Sequence, residues 1–188
     1  MTHPFMTAVA EELSALGIAT LRYQFPYMER RSRRPDPPRV CEATVRAAVG
    51  MVLQLAPGLP IVAGGKSFGG RMTSAAQAAG ALPGVMGLAF LGFPLHPAKR
   101  PADKRAEHLF DVDIPMLFLQ GSRDALADLH LLEPLVKRLG ARASLTVLED
   151  ADHSFHVPAR TGRTDAQVRT EMLAILAAWS RRLLQKMG

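Results

Sequence analysis

The sequence predicts an α/β domain with a doubly wound, mostly parallel sheet of about five strands and helices on both faces. Strand-like and helix-like segments alternate along the whole chain, separated by Gly and Pro, and no internal repeat interrupts them. The 188 residues are 48% hydrophobic and 21% charged. This composition excludes wholesale disorder and suits a single domain over residues 1–188 that buries its own core.

The predicted strands are short apolar runs bounded by turn residues, as expected for a sheet that is covered on both faces. In chain order they are Ile18–Gln24, Ile61–Ala63, Val85–Phe93, Pro115–Gln120 and Ser144–Leu148. The helical segments instead repeat apolar residues every three or four positions, and Gly or Pro ends several of them. In chain order they are Phe5–Leu16, Val40–Ala56, Ser67–Ala79, Ala102–Phe110, Leu129–Leu139 and a last helix from Thr164, a candidate N-cap, to Leu184.

Charge and cysteine content narrow the class of protein. The formal charge is +6, and the densest basic stretch, Glu29–Arg34, precedes a proline-rich loop. No aromatic residues alternate with these arginines, so a solvated loop is favoured over nucleic-acid binding.

The longest apolar run, Val85–Leu95, is too short to span a bilayer. With no basic signal-peptide start and only Cys41, which excludes an intramolecular disulfide, a cytoplasmic protein is expected.

A serine stands between a predicted strand and a predicted helix. Gly65-Lys66-Ser67-Phe68-Gly69 has the pattern G-x-S-x-G in the context that a nucleophile elbow requires. Small residues on both sides let strand and helix pass closely, and the amide of Phe68 would face an oxyanion. A phosphate-binding loop is the competing interpretation. It fails because its first glycine would have to stand at position 60, which is Pro60.

A serine nucleophile needs a base and an acid that orients the base, and the chain supplies both at strand ends. Asp124 follows the strand Pro115–Gln120, and His153 follows the last strand. Ser67, Asp124 and His153 therefore occur in the required chain order at the carboxyl ends of three strands. Asp128 is an alternative acid, and His156 is an alternative base.

The last strand also precedes a cluster that has a second interpretation. Asp150, Asp152, His153 and His156 are residue types that bind metal ions. A complete ligand set would need a further histidine or cysteine motif, and none stands elsewhere in the sequence. We therefore predict no metal site and no cofactor.

Taken together, these residues resemble the α/β-hydrolase superfamily, and most closely its small, cap-less, dienelactone-hydrolase-like branch. The resemblance covers nearly the whole chain. It rests on Gly64–Arg71, Gln120–Asp124 and Asp152–Phe155, with Arg22–Met28 and Gly92–Pro97 as further similar segments. It implies Ser67 as nucleophile, His153 as base, Asp124 as the acid that orients it, and Phe68 as an oxyanion donor.

The resemblance implies a serine hydrolase, an esterase or related acyl hydrolase that acts on a small ester or thioester. Lys66 and His96 are the candidates for substrate binding; the alternatives are a Lys66 that simply faces solvent and a His96 that is a surface or hydrogen-bonded histidine. Lys66 and Arg71 together would favour an acidic substrate. The alternative is a catalytically impaired, hydrolase-like module that binds a partner.

The sequence departs from this family at its N-terminus. Family members carry a strand that ends in an H-G turn before the first long helix, and this turn supplies a second oxyanion donor. The present sequence starts at Met1–Phe5, about where that turn would end. The expectation is an N-terminally truncated sheet, in which Ile18–Gln24 and Ile61–Ala63 either leave a gap or pair directly.

Overall fold

Within residues 4–185, which the computed structural model describes, four parallel strands form one sheet in the order β1, β2, β3, β4. The strands are β1 (Ile61–Lys66), β2 (Val85–Leu91), β3 (Met116–Gly121) and β4 (Ala143–Leu148). Because all the pairings are parallel, every carboxyl end lies at the same edge of the sheet. This edge is where side chains from successive strands meet.

Helices cover both faces of this sheet. The α-helices are α1 (Pro4–Ala15), α2 (Pro26–Glu29), α3 (Pro38–Leu55), α4 (Phe68–Ala78), α5 (Leu129–Leu139) and α6 (Asp165–Gln185), and a 3-10 helix spans Lys104–Asp111. Helices α1 and α6 contact each other on one face, and α3, α4, α5 and the 3-10 helix lie on the other. The predicted α/β fold with helices on both faces is confirmed.

The central strands β2 and β3 build the core on both sides of the sheet. Phe90 and Phe118 pack against each other on the α3–α4–α5 face, with ring centroids 4.8 Å apart. Their neighbours Leu91 and Leu119 point to the opposite face, towards α1 and α6. Successive side chains of a strand alternate between faces, so an unbroken apolar run fills both halves of the core.

The last helix begins as its sequence predicts. The Thr164 hydroxyl accepts a hydrogen bond from the Gln167 amide at 3.2 Å, and the Gln167 side-chain oxygen accepts from the Thr164 amide at 2.8 Å. This reciprocal pair is a capping box, which satisfies two helix-end donors. The predicted apolar face is also confirmed, since Val168, Met172 and Trp179 are buried on it.

The prediction of a strand at Ile18–Gln24 is wrong, which is why the sheet has four strands within residues 4–185 and not about five. A strand needs a neighbour to receive its hydrogen bonds, and this segment joins no sheet pairing. Its apolar character instead serves side-chain packing, because Tyr23 is half-buried and Phe25, just beyond the segment, is buried against Phe68 of α4.

The other edge of β1 is accordingly without a strand neighbour among the described residues. All six residues of β2 that pair with β1 are buried, whereas five of the six residues of β1 are partly exposed. Direct pairing between β1 and the segment Ile18–Gln24, one of the two expected arrangements, does not occur. Residues 1–3, where the H-G turn was expected to end, lie outside the described residues.

None of the helices within residues 4–185 is both long and apolar enough to cross a membrane.

Candidate active site

Ser67 lies on a sharp turn between β1 and α4. Its φ is +52° and its ψ is −120°, a conformation that a residue with a side chain adopts only under strain. A Cβ placed on Gly70 would stand 2.7 Å from the carbonyl oxygen of Gly65, so the turn closes only with glycine at this position. The Ser67 amide is held by the Leu91 carbonyl of the neighbouring strand at 3.0 Å. A nucleophile elbow requires a strand-to-helix turn of this shape.

The Ser67 side chain meets the histidine and the acid that follow two other strands. His153 Nε2 lies 2.8 Å from Ser67 Oγ, and His153 Nδ1 lies 2.6 Å from Asp124 Oδ2. Asp124 is fully buried at its carboxylate, whereas the His153 side chain remains 23% exposed. The structure therefore brings together the three residues that the sequence places at the carboxyl ends of β1, β3 and β4.

Buried donors fix the Asp124 carboxylate in this position. The Leu126 amide donates to Oδ1 at 2.7 Å, and Gln120 Nε2 donates to Oδ2. The Gln120 side-chain amide is fixed in this orientation, because its Oε1 accepts a hydrogen bond from the Phe93 amide at 2.9 Å. Sequence analysis did not single out Gln120. The available signal was a polar residue at the end of an otherwise apolar strand, where burial requires hydrogen-bond partners.

Gly92, directly after β2, faces the His153–Asp124 pair. A Cβ at this position would stand 3.5 Å from His153 Nδ1 and 3.6 Å from Asp124 Oδ2, and the backbone φ is +71°. The sequence shows a glycine after a strand here, but not that it faces a histidine from the last strand.

Lys66 holds the backbone of the histidine loop and does not extend freely towards a ligand. Its Nζ donates to the His153 carbonyl at 2.6 Å and lies over the rings of Phe5 and Phe155, 5.0 and 5.2 Å from their centroids. These two rings stack on each other at 5.7 Å. Burial lowers the pKa of Lys66, with the Asp124 and Asp152 carboxylates acting in the opposite direction. This placement differs from the predicted substrate-binding role.

His96 is likewise placed as a structural residue. It is 4% exposed, its Nε2 accepts from the Asp128 amide at 2.9 Å, and its Nδ1 lies 2.9 Å from the Pro97 carbonyl. Nδ1 must therefore carry the proton and donate. Both ring nitrogens are engaged with backbone, which leaves no polar atom of His96 for the substrate contact that was predicted.

The alternative acid and base lie elsewhere. Asp128 caps α5 by accepting from the His130 amide at 2.9 Å. His156 is largely exposed and pairs with Asp165 at 3.0 Å. Hydrogen bonding to Asp165 raises the pKa of His156 and lowers the pKa of Asp165. Neither alternative contacts Ser67.

The Asp and His residues after β4 point to different partners. His153 faces Asp124, whereas the Asp152 carboxylate accepts from the amides of Ser154 and His156 and so folds the loop back on itself. Among residues 4–185, no three His, Cys, Asp or Glu side chains are grouped so that they could hold a metal ion.

Residues 1–181 match the family described as alpha/beta hydrolase domain, and the chain belongs to this family. Solved structures with the same fold support the assignment. A serine hydrolase homologue from Coxiella burnetii superposes with a TM-score of 0.73 at 21% identity, over 94% of this chain and 77% of that one. A serine hydrolase without a lid from Xanthomonas campestris superposes with a TM-score of 0.71 at 24% identity, over 95% of this chain and 75% of that one. The esterase domain of a Rhodothermus marinus protein superposes with a TM-score of 0.69 at 19% identity, over 95% of this chain and 80% of that one.

Proposed function

We propose that this protein is a serine hydrolase that cleaves small carboxylic esters or thioesters. The observation that carries the proposal is the continuous hydrogen-bonded chain from Ser67 Oγ through the His153 ring to the buried Asp124 carboxylate. A serine hydroxyl becomes an effective nucleophile when a neighbouring imidazole accepts its proton, and a buried carboxylate holds the imidazole in the required tautomer.

The reaction proceeds in two halves. Ser67 Oγ attacks the carbonyl carbon while His153 Nε2 takes the hydroxyl proton. The alcohol or thiol leaves with this proton, and an acyl group remains on Ser67. Water then attacks the acyl group, His153 accepts the proton from the water, and the free acid departs as the proton returns to Ser67.

The developing oxyanion needs a hydrogen-bond donor near Ser67. Phe68 is the first residue of α4, so its amide has no acceptor within the helix and lies at the positive end of the helix dipole. We assign this amide to the oxyanion. Removing an oxyanion donor lowers turnover by about 10²–10³, so this amide is expected to contribute substantially to the rate.

Covalent labelling with a fluorophosphonate probe tests this proposal. The wild-type protein is expected to be labelled, and both Ser67→Ala and His153→Ala are expected to abolish labelling. His130→Ala, which changes a histidine outside the triad, serves as a matched control and should label at the wild-type rate. A folded wild-type protein that resists labelling would contradict the proposal and favour the alternative of a hydrolase-like binding module.

A further inference from the structure

Arg71 lies on α4, the helix that begins directly after Ser67. Its amide bonds to the Ser67 carbonyl at 3.2 Å, so it stands one helical turn after the nucleophile on α4. Its guanidinium carbon lies 5.5 Å from the ring centroid of Phe68, the residue whose amide we assign to the oxyanion. Side chains of a helix lean towards its N-terminus, so the guanidinium group points to the end of α4 that carries Ser67.

One donor of the Arg71 side chain lacks an acceptor among residues 4–185. Arg71 Nε is buried and has no hydrogen-bond partner, the one buried side-chain polar atom in this state among the described residues. No Asp or Glu within residues 4–185 forms an ion pair with Arg71. Buried donors almost always have partners in folded proteins, whereas the Nε of the half-buried Arg71 has none among the described residues. A cationic side chain without a counter-ion, one helical turn after Ser67, is suited to bind an anionic group of a ligand.

The surroundings of Arg71 add positive charge and do not neutralise it. Burial lowers the pKa of Arg71, and the nearby Arg105 guanidinium lowers it further, whereas the Cys41 thiol acts weakly in the other direction. Two positive charges in one region attract an anion.

His108 lies on the same 3-10 helix as Arg105. Its Nε2 is 2.8 Å from the Ser74 hydroxyl, which donates to the Arg71 carbonyl at 3.0 Å. Burial and the charge of Arg71 lower the pKa of His108, which keeps its ring neutral near pH 7.

We propose that Arg71, with Arg105 beside it, binds a carboxylate group of the substrate, so that the preferred esters are half-esters of dicarboxylic acids. This inference rests on the proposed hydrolase function. A guanidinium group presents parallel N–H donors that match the two oxygens of a carboxylate, which makes it selective for this group.

The kinetic experiment compares charged and neutral esters of matched length. Acid release at constant pH is measured for monoethyl glutarate and for ethyl pentanoate, and the ratio of their kcat/KM values is taken as the selectivity. Arg71→Met is expected to lower this ratio by about ten- to a hundredfold, the range for one or two charge-assisted hydrogen bonds. Arg105→Gln should lower it less, and the exposed Arg33→Gln should leave it unchanged. An unchanged ratio in Arg71→Met would overturn the inference while the hydrolase function stands.

A binding experiment separates this inference from the proposed chemistry. Glutarate is titrated calorimetrically into the Ser67→Ala protein, with and without Arg71→Met. Binding that requires Arg71 supports the carboxylate site even where no ester is cleaved. No glutarate binding, or tighter binding of inorganic phosphate, contradicts the carboxylate assignment.

Thermal unfolding tests whether Arg71 has a merely structural role. Methionine keeps the apolar stem over Phe68 and removes a half-buried charge that has no partner, so Tm of Arg71→Met should stay unchanged or rise. A large fall in Tm would show that Arg71 supports the fold, and it would contradict the assignment of this residue to a ligand.

Discussion

Replacing Asp124 with asparagine tests the hydrogen-bond geometry of the site most directly. The Asp124 carboxylate accepts from three groups, the Leu126 amide, the Gln120 amide and the His153 ring. Asparagine has nearly the same shape but only one acceptor oxygen. If this oxygen faces the Leu126 amide, the NH₂ group faces two donors, Gln120 Nε2 and the His153 ring. In the reverse orientation the NH₂ group faces the Leu126 N–H.

These contacts determine how much stability and how much labelling rate Asp124→Asn should lose. At least one buried donor loses its acceptor in either orientation, which costs about 1–3 kcal/mol in the free energy of unfolding. In the orientation that keeps Leu126 satisfied, the NH₂ group donates to His153 Nδ1, so the proton moves to Nε2. A ring protonated at Nε2 cannot accept the Ser67 proton, and the rate of probe labelling is expected to fall on the order of 10⁴-fold.

Asp128→Asn is the matched control, since it makes the same chemical change four residues away. Asp128 caps α5 through the His130 amide, and asparagine caps helices about as well as aspartate. Its unfolding free energy and labelling rate should match wild type. Fluorophosphonate labelling rates and urea unfolding measure both effects. Wild-type labelling of Asp124→Asn, or a loss of labelling in Asp128→Asn, would refute the assigned acid.

Three further changes test neighbouring features. Lys66→Met removes the donor to the His153 carbonyl and should slow labelling about tenfold, equivalent to ~1.4 kcal/mol. The control Lys137→Met, at an exposed lysine, should label at the wild-type rate. Equal labelling rates in Lys66→Met and wild type would contradict a positioning role for Lys66. Gly92→Ala should lower the free energy of unfolding by about 1–2 kcal/mol in urea titrations, because alanine is strained at φ +71° although its methyl fits beside His153. His156→Gln should leave labelling unchanged and alter only the pH dependence of stability. Since pairing with Asp165 raises the pKa of His156 above 6.5, its contribution is complete below pH 6.5 and is lost as pH rises through the folded-state pKa, so stability should fall less over that window in His156→Gln.

The sequence predicted most of the fold because local patterns carry the information. Apolar runs bounded by turns identified β2 and β3, and the helical period with a capping residue identified α6. Four of the five predicted strands correspond to strands of the sheet. Ile18–Gln24 failed because its local pattern is strand-like, whereas a strand also requires a neighbouring backbone, which is a property of the assembled sheet.

The candidate site was predictable to the extent that it depends on chain order. The glycines around Ser67 and the positions of Asp124 and His153 after strands are visible in the sequence, and parallel strands necessarily bring their carboxyl ends to one edge. Distances between these side chains were not predictable. The choices of Asp124 over Asp128 and of His153 over His156 depend on which side chain each loop turns towards Ser67.

Residue type and spacing thus determined the fold class, the elbow and the set of candidate acids and bases. Tertiary structure decided the partners of polar groups. Lys66 donates to the His153 carbonyl, both ring nitrogens of His96 are engaged by backbone, and Arg71 Nε has no acceptor among the described residues. The physical reason is that a hydrogen bond depends on atoms meeting within about 3 Å. Residues 87 positions apart in the chain, such as Lys66 and His153, meet at that distance only once the sheet has assembled.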